Sequence, residues 1–243
     1  MKTFGLTDKG KVRKENQDSF LIKQVDGGCL IAVLCDGMGG VQGGSVASNL
    51  AAKLFLEYVS LKLQGIKSRE SVKPAVLAAV ARANGVVYDY SYFDTAFTGM
   101  GTTLVGVVCR GARVTVVNIG DSRAYHMSKR KIRQVTRDHS LVEELIDRGA
   151  ITREQARSHP RKNIITRALG VEPEVEADTF ELKLSSGERL LLCSDGLSNL
   201  VGNNEMLELS LKCQDPEVLC NKLLELALER GATDNVTIVV LEK

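Results

Sequence analysis

The stretch CLIAVLCDGMGG, residues 29–40, decides the fold. Its first seven residues are apolar, and they lead directly into Asp36 and a glycine-rich segment. A second apolar run, LLLCSDGLSN at residues 190–199, ends in the same way at Asp195 and Gly196. Runs of this length are typical of strands buried on both faces. A carboxylate at the end of a buried strand is costly unless a positive charge meets it, so each aspartate needs a cationic partner.

Composition excludes several classes of protein. The chain has 243 residues, a formal net charge of +2, 44% hydrophobic and 26% charged residues, as is ordinary for a globular protein. Its basic residues are dispersed and no run approaches the length of a bilayer span, so neither nucleic acid nor a membrane is an expected partner. No apolar signal segment opens the chain, and no two of the six cysteines have CxxC spacing. We therefore expect buried thiols in a reducing cytoplasm rather than a zinc site or disulfides.

The order of elements predicts a single α+β domain over residues 1–243, with helices covering two antiparallel sheets. Short turns separate most of the apolar, β-branched runs, which predict strands at 19–24, 29–35, 102–110, 114–119, 123–127, 179–184, 189–193 and 235–241. Helical spacing appears at 45–59 and 72–87, and Asp215-Pro216 predicts the start of a helix that reaches 229–230. Residues 138–170 form a helical insertion, or flap, with helices predicted at 141–148 and from the capping box at 152–155.

Five aspartates fall at strand ends or turns: Asp18, Asp36, Asp121, Asp195 and Asp234. If these ends converge, the cluster cannot stay ionised without cations, because like charges favour protonation. Ligation by oxygen alone suits Mg²⁺ or Mn²⁺ better than zinc. Taken singly, each Asp-Gly is also a common turn dipeptide, and that alternative stays open.

The glycines after Asp36, in GMGGVQGGS at residues 37–45, do not form a nucleotide-binding loop. GxGxxG would need glycine at Gln42, and the P-loop pattern would need lysine at Ser45. Small residues here favour close approach of a backbone carbonyl to a metal. The histidines at 126, 139 and 159 form no ligand pattern and are expected to be structural or exposed.

Eight stretches, taken together and in order, resemble the metal-dependent protein phosphatase 2C family in its bacterial branch. They are RKENQDSF, DGMGG, GMGTTL, NIGDSRAY, TRDHSLV, HPRKNIITRALG, LLLCSDGLSN and TDNVTIVV, and they span nearly the whole chain. The resemblance implies a four-layer αββα sandwich of two antiparallel sheets flanked by helices, in agreement with the fold class predicted above.

The resemblance also implies a metal site of two Mn²⁺ or Mg²⁺ ions. Asp36 would bridge the two ions, and the carbonyl of Gly37 would bind one of them. Asp195 and Asp234 would hold the other ion, and Asp18 would hold a metal-bound water.

Further roles come from the same resemblance. Bacterial members often bind a third ion, to which Asp121 would contribute together with Asp195. Arg13 would receive the substrate phosphate, whereas the residues alone favour a surface ion pair between Arg13 and a neighbour such as Glu15. Three departures from the family pattern, at Met38, Val41 and Ser45, leave the proton donor to the leaving group open. Metal-bound water is the expected donor, and His139 is the alternative.

The implied activity is hydrolysis of phosphoserine and phosphothreonine by direct attack of a metal-bridging hydroxide, without a phosphoenzyme. Expected partners are phosphorylated proteins and a cognate bacterial Ser/Thr kinase, and the chain is expected to act as a monomer. One alternative is a catalytically silent regulatory domain of the same fold. Another is an unrelated two-metal phosphodiesterase or nuclease, which the near-neutral charge disfavours.

Overall fold

The computed structural model describes residues 1–25, 28–39, 43–64 and 71–243. In these ranges the strands are β1 (Lys2–Asp8), β2 (Asp18–Val25), β3 (Cys29–Met38), β4 (Gly101–Thr102), β5 (Leu104–Arg110), β6 (Arg113–Ile119), β7 (Arg123–Met127), β8 (Ile132–Gln134), β9 (Asp178–Lys183), β10 (Arg189–Cys193) and β11 (Val236–Glu242). The α-helices are α1 (Gly43–Leu63), α2 (Lys73–Phe93), α3 (Leu141–Asp147), α4 (Arg153–Arg157), α5 (Asp195–Ser198), α6 (Asn203–Lys212) and α7 (Pro216–Glu229).

The strands form two antiparallel sheets. One has the order β1-β11-β10-β7-β8, and the other has the order β2-β3-β5-β6-β9, with β4 paired to β3. The predicted pair of antiparallel sheets is therefore confirmed.

Alternation along β3 explains why its sequence is continuously apolar. Leu30, Ala32 and Leu34 join the core between the two sheets. Ile31 and Val33 point the other way, into the core beneath α1 and α2. Both faces of the strand are buried, so neither set of side chains can be polar without cost.

The second sheet repeats this arrangement. On β10, Leu190 and Leu192 belong to the core between the sheets, whereas Leu191 and Cys193 pack with residues of α6 and α7. The layers are therefore helices, sheet, sheet and helices, as the αββα prediction requires.

Several predicted elements are longer in the structure, and some were missed. The helices predicted at 45–59 and 72–87 extend to Gly43–Leu63 and Lys73–Phe93. Strands β1 and β8 and helix α6 were not predicted. The short turn predicted between the strands at 19–24 and 29–35 includes Asp26 and Gly27, which lie outside the described residues, as does Val41.

Two further observations concern the cysteines and the helices. All six cysteines are buried and free, as predicted for reduced thiols. In the described ranges, no helix is long and apolar enough to cross a bilayer.

Candidate metal centre

One cavity collects most of the residues that were singled out in the sequence. It has a volume of about 590 Å³, and we call it the carboxylate cavity. Its lining includes Arg13, Asp36, Gly37, Asp121, Asp195 and Asp234. Four of the five strand-end aspartates therefore converge on this cavity, whereas Asp18 does not line it and lies beside Asp36 on the neighbouring strand.

The two sheets deliver these aspartates from different directions. Asp36 lies in β3 opposite Asp18, the first residue of β2. Asp195 begins α5 just after β10, and Asp234 lies just before β11. The strands do not all stop at their aspartates, since β3 continues through Asp36 to Met38.

Asp121 reaches the cavity from the turn between β6 and β7. Gly120 has a φ of +94°, and a Cβ there would lie 2.5 Å from Thr103 Cγ2, so the turn requires glycine. The backbone of this turn is also held by His139. Its Nδ1 accepts a hydrogen bond from the Gly120 N–H at 3.1 Å, and its backbone N–H donates to the Gly120 carbonyl at 2.9 Å.

Asp18 lies in a built environment for a carboxylate. It is 7% exposed, and its Oδ2 accepts from Ser194 Oγ at 2.8 Å and from Thr237 Oγ1 at 2.6 Å. Its Oδ1 is buried and has no partner among the described residues. Burial raises the pKa of Asp18 to about 6, although the two hydroxyl donors oppose the shift. An orphaned, buried carboxylate oxygen fits a site that takes a cation or an ordered water.

Burial and mutual repulsion also raise the pKa values of Asp36, Asp121 and Asp195. The pKa of Asp36 is well above its usual range, first through burial and then through the charge of Asp18. Burial, followed by the charge of Asp195, raises the pKa of Asp121 to about 7. Burial, followed by the charge of Asp234, raises the pKa of Asp195 to about 6. The cluster therefore favours protons or metal cations as counter-charges.

Arg13 supplies a positive charge at the carboxylate cavity. Its Nη2 contacts Asp234 Oδ2 at 2.6 Å, and this hydrogen bond raises the pKa of the guanidinium. The ion pair considered from the sequence is therefore present, but its partner is Asp234 rather than a neighbour such as Glu15. The Arg13 side chain remains 55% exposed, so it can reach a ligand in the cavity.

Gly37 is required by packing. A Cβ at Gly37 would lie 2.1 Å from the Gly44 carbonyl oxygen and 2.6 Å from that of Gln17. Gly44 in turn lies against the Gln17 side chain, so the start of α1 packs closely on the end of β3. The small residues permit this approach of backbone to backbone beside Asp36.

His139 does not line the carboxylate cavity. It is buried, its Nδ1 is bonded to the Gly120 amide, and its Nε2 lies 3.3 Å from both Arg167 and Asp178. Burial lowers its pKa. This position favours the structural role predicted for the histidines over that of a proton donor to a leaving group.

Asn235 is a supporting residue to which the sequence reasoning gave no role. Its side chain donates to the carbonyls of Lys9 and Glu15 and accepts from the amide of Gln17. It thereby fixes the β1–β2 loop that carries Arg13. In the sequence, its position directly after Asp234 could have indicated this role, but the backbone groups that it binds are more than 200 positions away.

The donor set fits a hard divalent ion that keeps some of its water. Among the described residues, no group of three or more His, Cys, Asp and Glu side chains is placed to hold a metal ion without other ligands. Mg²⁺ and similar ions normally bind through a few carboxylates, with carbonyl oxygens and waters completing the shell. Asp36, the Gly37 carbonyl, Asp195 and Asp234 line the same cavity and offer these ligands.

Comparison with known proteins agrees with this geometry. A profile of the protein phosphatase 2C family matches residues 10–225. The serine/threonine phosphatase stp of Listeria monocytogenes serotype 4b (strain F2365) is 37% identical over 237 residues, which cover 98% of this chain and 94% of the relative.

Solved structures give the same result. The chain superimposes on the serine/threonine phosphatase Stp1 of Staphylococcus aureus with a TM-score of 0.91 at 34% identity, covering 99% of this chain and 94% of that one. It also matches the catalytic domain of the serine/threonine protein phosphatase PstP in complex with two manganese ions, with a TM-score of 0.86 at 34% identity, covering 99% and 97% of the two chains. This chain therefore belongs to the protein phosphatase 2C family.

Proposed function

We propose that this protein is a metal-dependent phosphoprotein phosphatase that hydrolyses phosphoserine and phosphothreonine. The observation that carries the proposal is the carboxylate cavity itself. It brings together buried carboxylates, which need cations as counter-charges, and an exposed guanidinium that is suited to bind a phosphate. The named serine/threonine phosphatases to which the chain is similar support the same substrate class.

The metal ligands that we propose are those that the family resemblance implies. Asp36 would help to hold both of two Mn²⁺ or Mg²⁺ ions, the Gly37 carbonyl would help to hold one, and Asp195 and Asp234 would help to hold the other. Asp121, with Asp195, is proposed for a third ion. When bound, such ions supply Lewis acidity and an activated water nucleophile near neutral pH.

The chain's own groups position the substrate. Arg13 can donate two parallel hydrogen bonds to phosphoryl oxygens, which fixes the phosphate as well as attracting it. Arg13 contacts Asp234, so the guanidinium is already held at the edge of the cavity. The free Oδ1 of Asp18 is available to accept a proton from an ordered water next to the cluster.

A thiol nucleophile does not fit this site. Cys35 adjoins Asp36, but burial raises the pKa of its thiol far above neutrality. Burial likewise raises the pKa of Cys193 to about 12. Attack by water without a covalent phosphoenzyme is therefore the mechanism that these residues support.

The test is phosphate release from a phosphothreonine peptide, with and without Mn²⁺, for the native protein and for Asp36→Asn. Asp89→Asn is the matched control, because Asp89 is exposed on α2. We expect activity that needs Mn²⁺, is lost in Asp36→Asn and is retained in Asp89→Asn. No activity with Mn²⁺ would favour the silent-domain alternative, and full activity in Asp36→Asn would refute the metal assignment.

The biological setting is part of the proposal. We propose that the enzyme acts as a monomer in the cytoplasm and opposes a cognate Ser/Thr kinase by dephosphorylating the kinase's substrates. The six free, buried cysteines support a reducing compartment. Size-exclusion chromatography with light scattering tests the monomer directly.

A further inference from the structure

A second cavity adjoins the carboxylate cavity. It has a volume of about 390 Å³ and lies between the α3–α4 segment and the α5–α6 segment, and we call it the flap cavity. Asp121, Asn163 and Asp195 line both cavities. A ligand seated in the carboxylate cavity therefore has a direct route into the flap cavity.

Most of the charged residues that line the flap cavity already have partners. Arg123 donates to both carboxylate oxygens of Asp138, at 2.6–3.0 Å. Arg153 makes two hydrogen bonds to Glu143, at 3.0 and 3.3 Å. Within each pair the two charges neutralise each other, so these four residues offer little net charge to a ligand.

Two further cations line the flap cavity without such a partner. Arg157, the last residue of α4, and Lys162 form no ion pair with the described residues. The acidic residues of the lining that remain are Asp121 and Asp195, which belong to the proposed metal cluster. Arg157 and Lys162 are thus cations of this lining that no ion pair among the described residues neutralises.

Uncharged groups of the same wall also suit an anion. Ser198 Oγ is buried and has no hydrogen-bond partner among the described residues. Gly202 and Asn203, at the N-terminal end of the ten-residue helix α6, line the cavity as well. The N-terminus of this helix carries a partial positive charge, although the Gly202 N–H already donates to Glu205 Oε2 at 3.0 Å.

We propose that the flap cavity is a second anion subsite, which binds a carboxylate or a second phosphate a few residues from the phosphoresidue. This inference rests on the proposed function. An extended peptide advances about 3.3 Å per residue, so a short spacing connects the two adjoining cavities. The subsite would make the enzyme prefer phosphopeptides with an acidic group near the reacting residue.

The experiment uses phosphothreonine peptides with alanine on both sides as the neutral reference. Glutamate is moved one position at a time from four residues before to four residues after the phosphothreonine. A second series has a non-hydrolysable phosphonate analogue of phosphoserine instead. At the best position we expect kcat/KM about tenfold above the reference, as for a charge-assisted contact in a partly enclosed site. Glutamate and phosphonate series that respond alike identify a general anion subsite, whereas a response to phosphonate alone identifies a phosphate subsite.

The variant Arg157→Gln/Lys162→Gln tests the residues. We expect it to lower the ratio of acidic to neutral kcat/KM to about one, whereas Arg161→Gln leaves that ratio unchanged. Arg161 is the matched control because it is exposed and adjacent, but lines neither cavity. In the native protein the preference should also shrink as salt is raised, since the contact is partly exposed.

The outcomes separate this inference from the proposed function. Equal hydrolysis of acidic and neutral peptides by the native protein would overturn the subsite alone. A preference that survives in the double variant would overturn its assignment to Arg157 and Lys162. No phosphate release from any peptide would overturn the proposed function, and the subsite with it.

Discussion

Replacing Asn235 with alanine tests how the phosphate-binding loop is held. Asn235 is 6% exposed, and its side chain makes three hydrogen bonds to the backbone of the β1–β2 loop, at 2.9, 3.0 and 2.9 Å. Each is worth about 1 kcal/mol net, so Asn235→Ala should lower the free energy of unfolding by about 3 kcal/mol. For a chain of this size, that corresponds to a fall in Tm of roughly 6 to 12 °C.

Thermal unfolding followed by circular dichroism measures the stability, and phosphopeptide hydrolysis measures the function. Because Arg13 lies in the released loop, we expect KM to rise about tenfold, the equivalent of one lost charge-assisted contact. Asn204→Ala is the control, since Asn204 is exposed on α6. A Tm within about 2 °C of the native value, together with an unchanged KM, would refute the argument.

Three further predictions concern metal binding, the acidic cluster and the core. In the presence of a chelator, the free energy of unfolding should fall as the pH rises from about 4 to about 7. Asp18 and Asp121 have pKa values of about 6 and about 7 in the folded state, against an ordinary value of 3.8. Over this range the folded state therefore holds protons that the unfolded chain has released. Urea titrations from pH 4.5 to 7.5 measure this slope, and a rise in stability over that range would contradict it. Thr237→Val removes the 2.6 Å donor to Asp18 and should raise the Mn²⁺ concentration needed for half-maximal thermal stabilisation, an effect that an unchanged Mn²⁺ titration would exclude. Phe55→Ala empties a fully buried site under α1 and should cost about 3 to 5 kcal/mol in urea unfolding, and a loss under about 1 kcal/mol would show that the core closes around it.

The central strands were predictable because their sequence signal is local. The apolar run of β3 is buried on both faces, so no polar residue interrupts it, and the run itself identifies the strand. The edge strand β1 has a weaker pattern. Only Phe4 and Leu6 pack against the core, and Gly5 lies between them where the Phe20 ring leaves no room for a Cβ. Helix α6 has a single buried residue, Met206, which explains why its periodicity was missed.

The residues of the candidate site were predictable as a set, but their contacts were not. The turns and strand ends identified the aspartates, and the family resemblance supplied their expected roles. The pairing of Arg13 with Asp234 joins positions 221 residues apart, so a local reading favoured Glu15 instead. The hydroxyl donors to Asp18 come from the other sheet and are also distant in the sequence, so a local pattern could not indicate them. The assignment of each aspartate to a particular ion remains a prediction.

The way in which the two sheets share the cluster has a mechanical consequence. Asp36 and Asp18 belong to one sheet, Asp195 and Asp234 adjoin strands of the other, and among the described strands none pairs across the two sheets. No strand pairing therefore joins the layers; hydrogen bonds from Ser194 and Thr237 to Asp18 link them at this end, and the apolar packing between them resists sliding poorly because it has no direction. An ion bound by ligands from both sheets would fix the position of one layer on the other at that end of the sandwich. Metal binding would then set the alignment of the layers, and a mutation deep between the sheets would be felt first as a change in metal affinity.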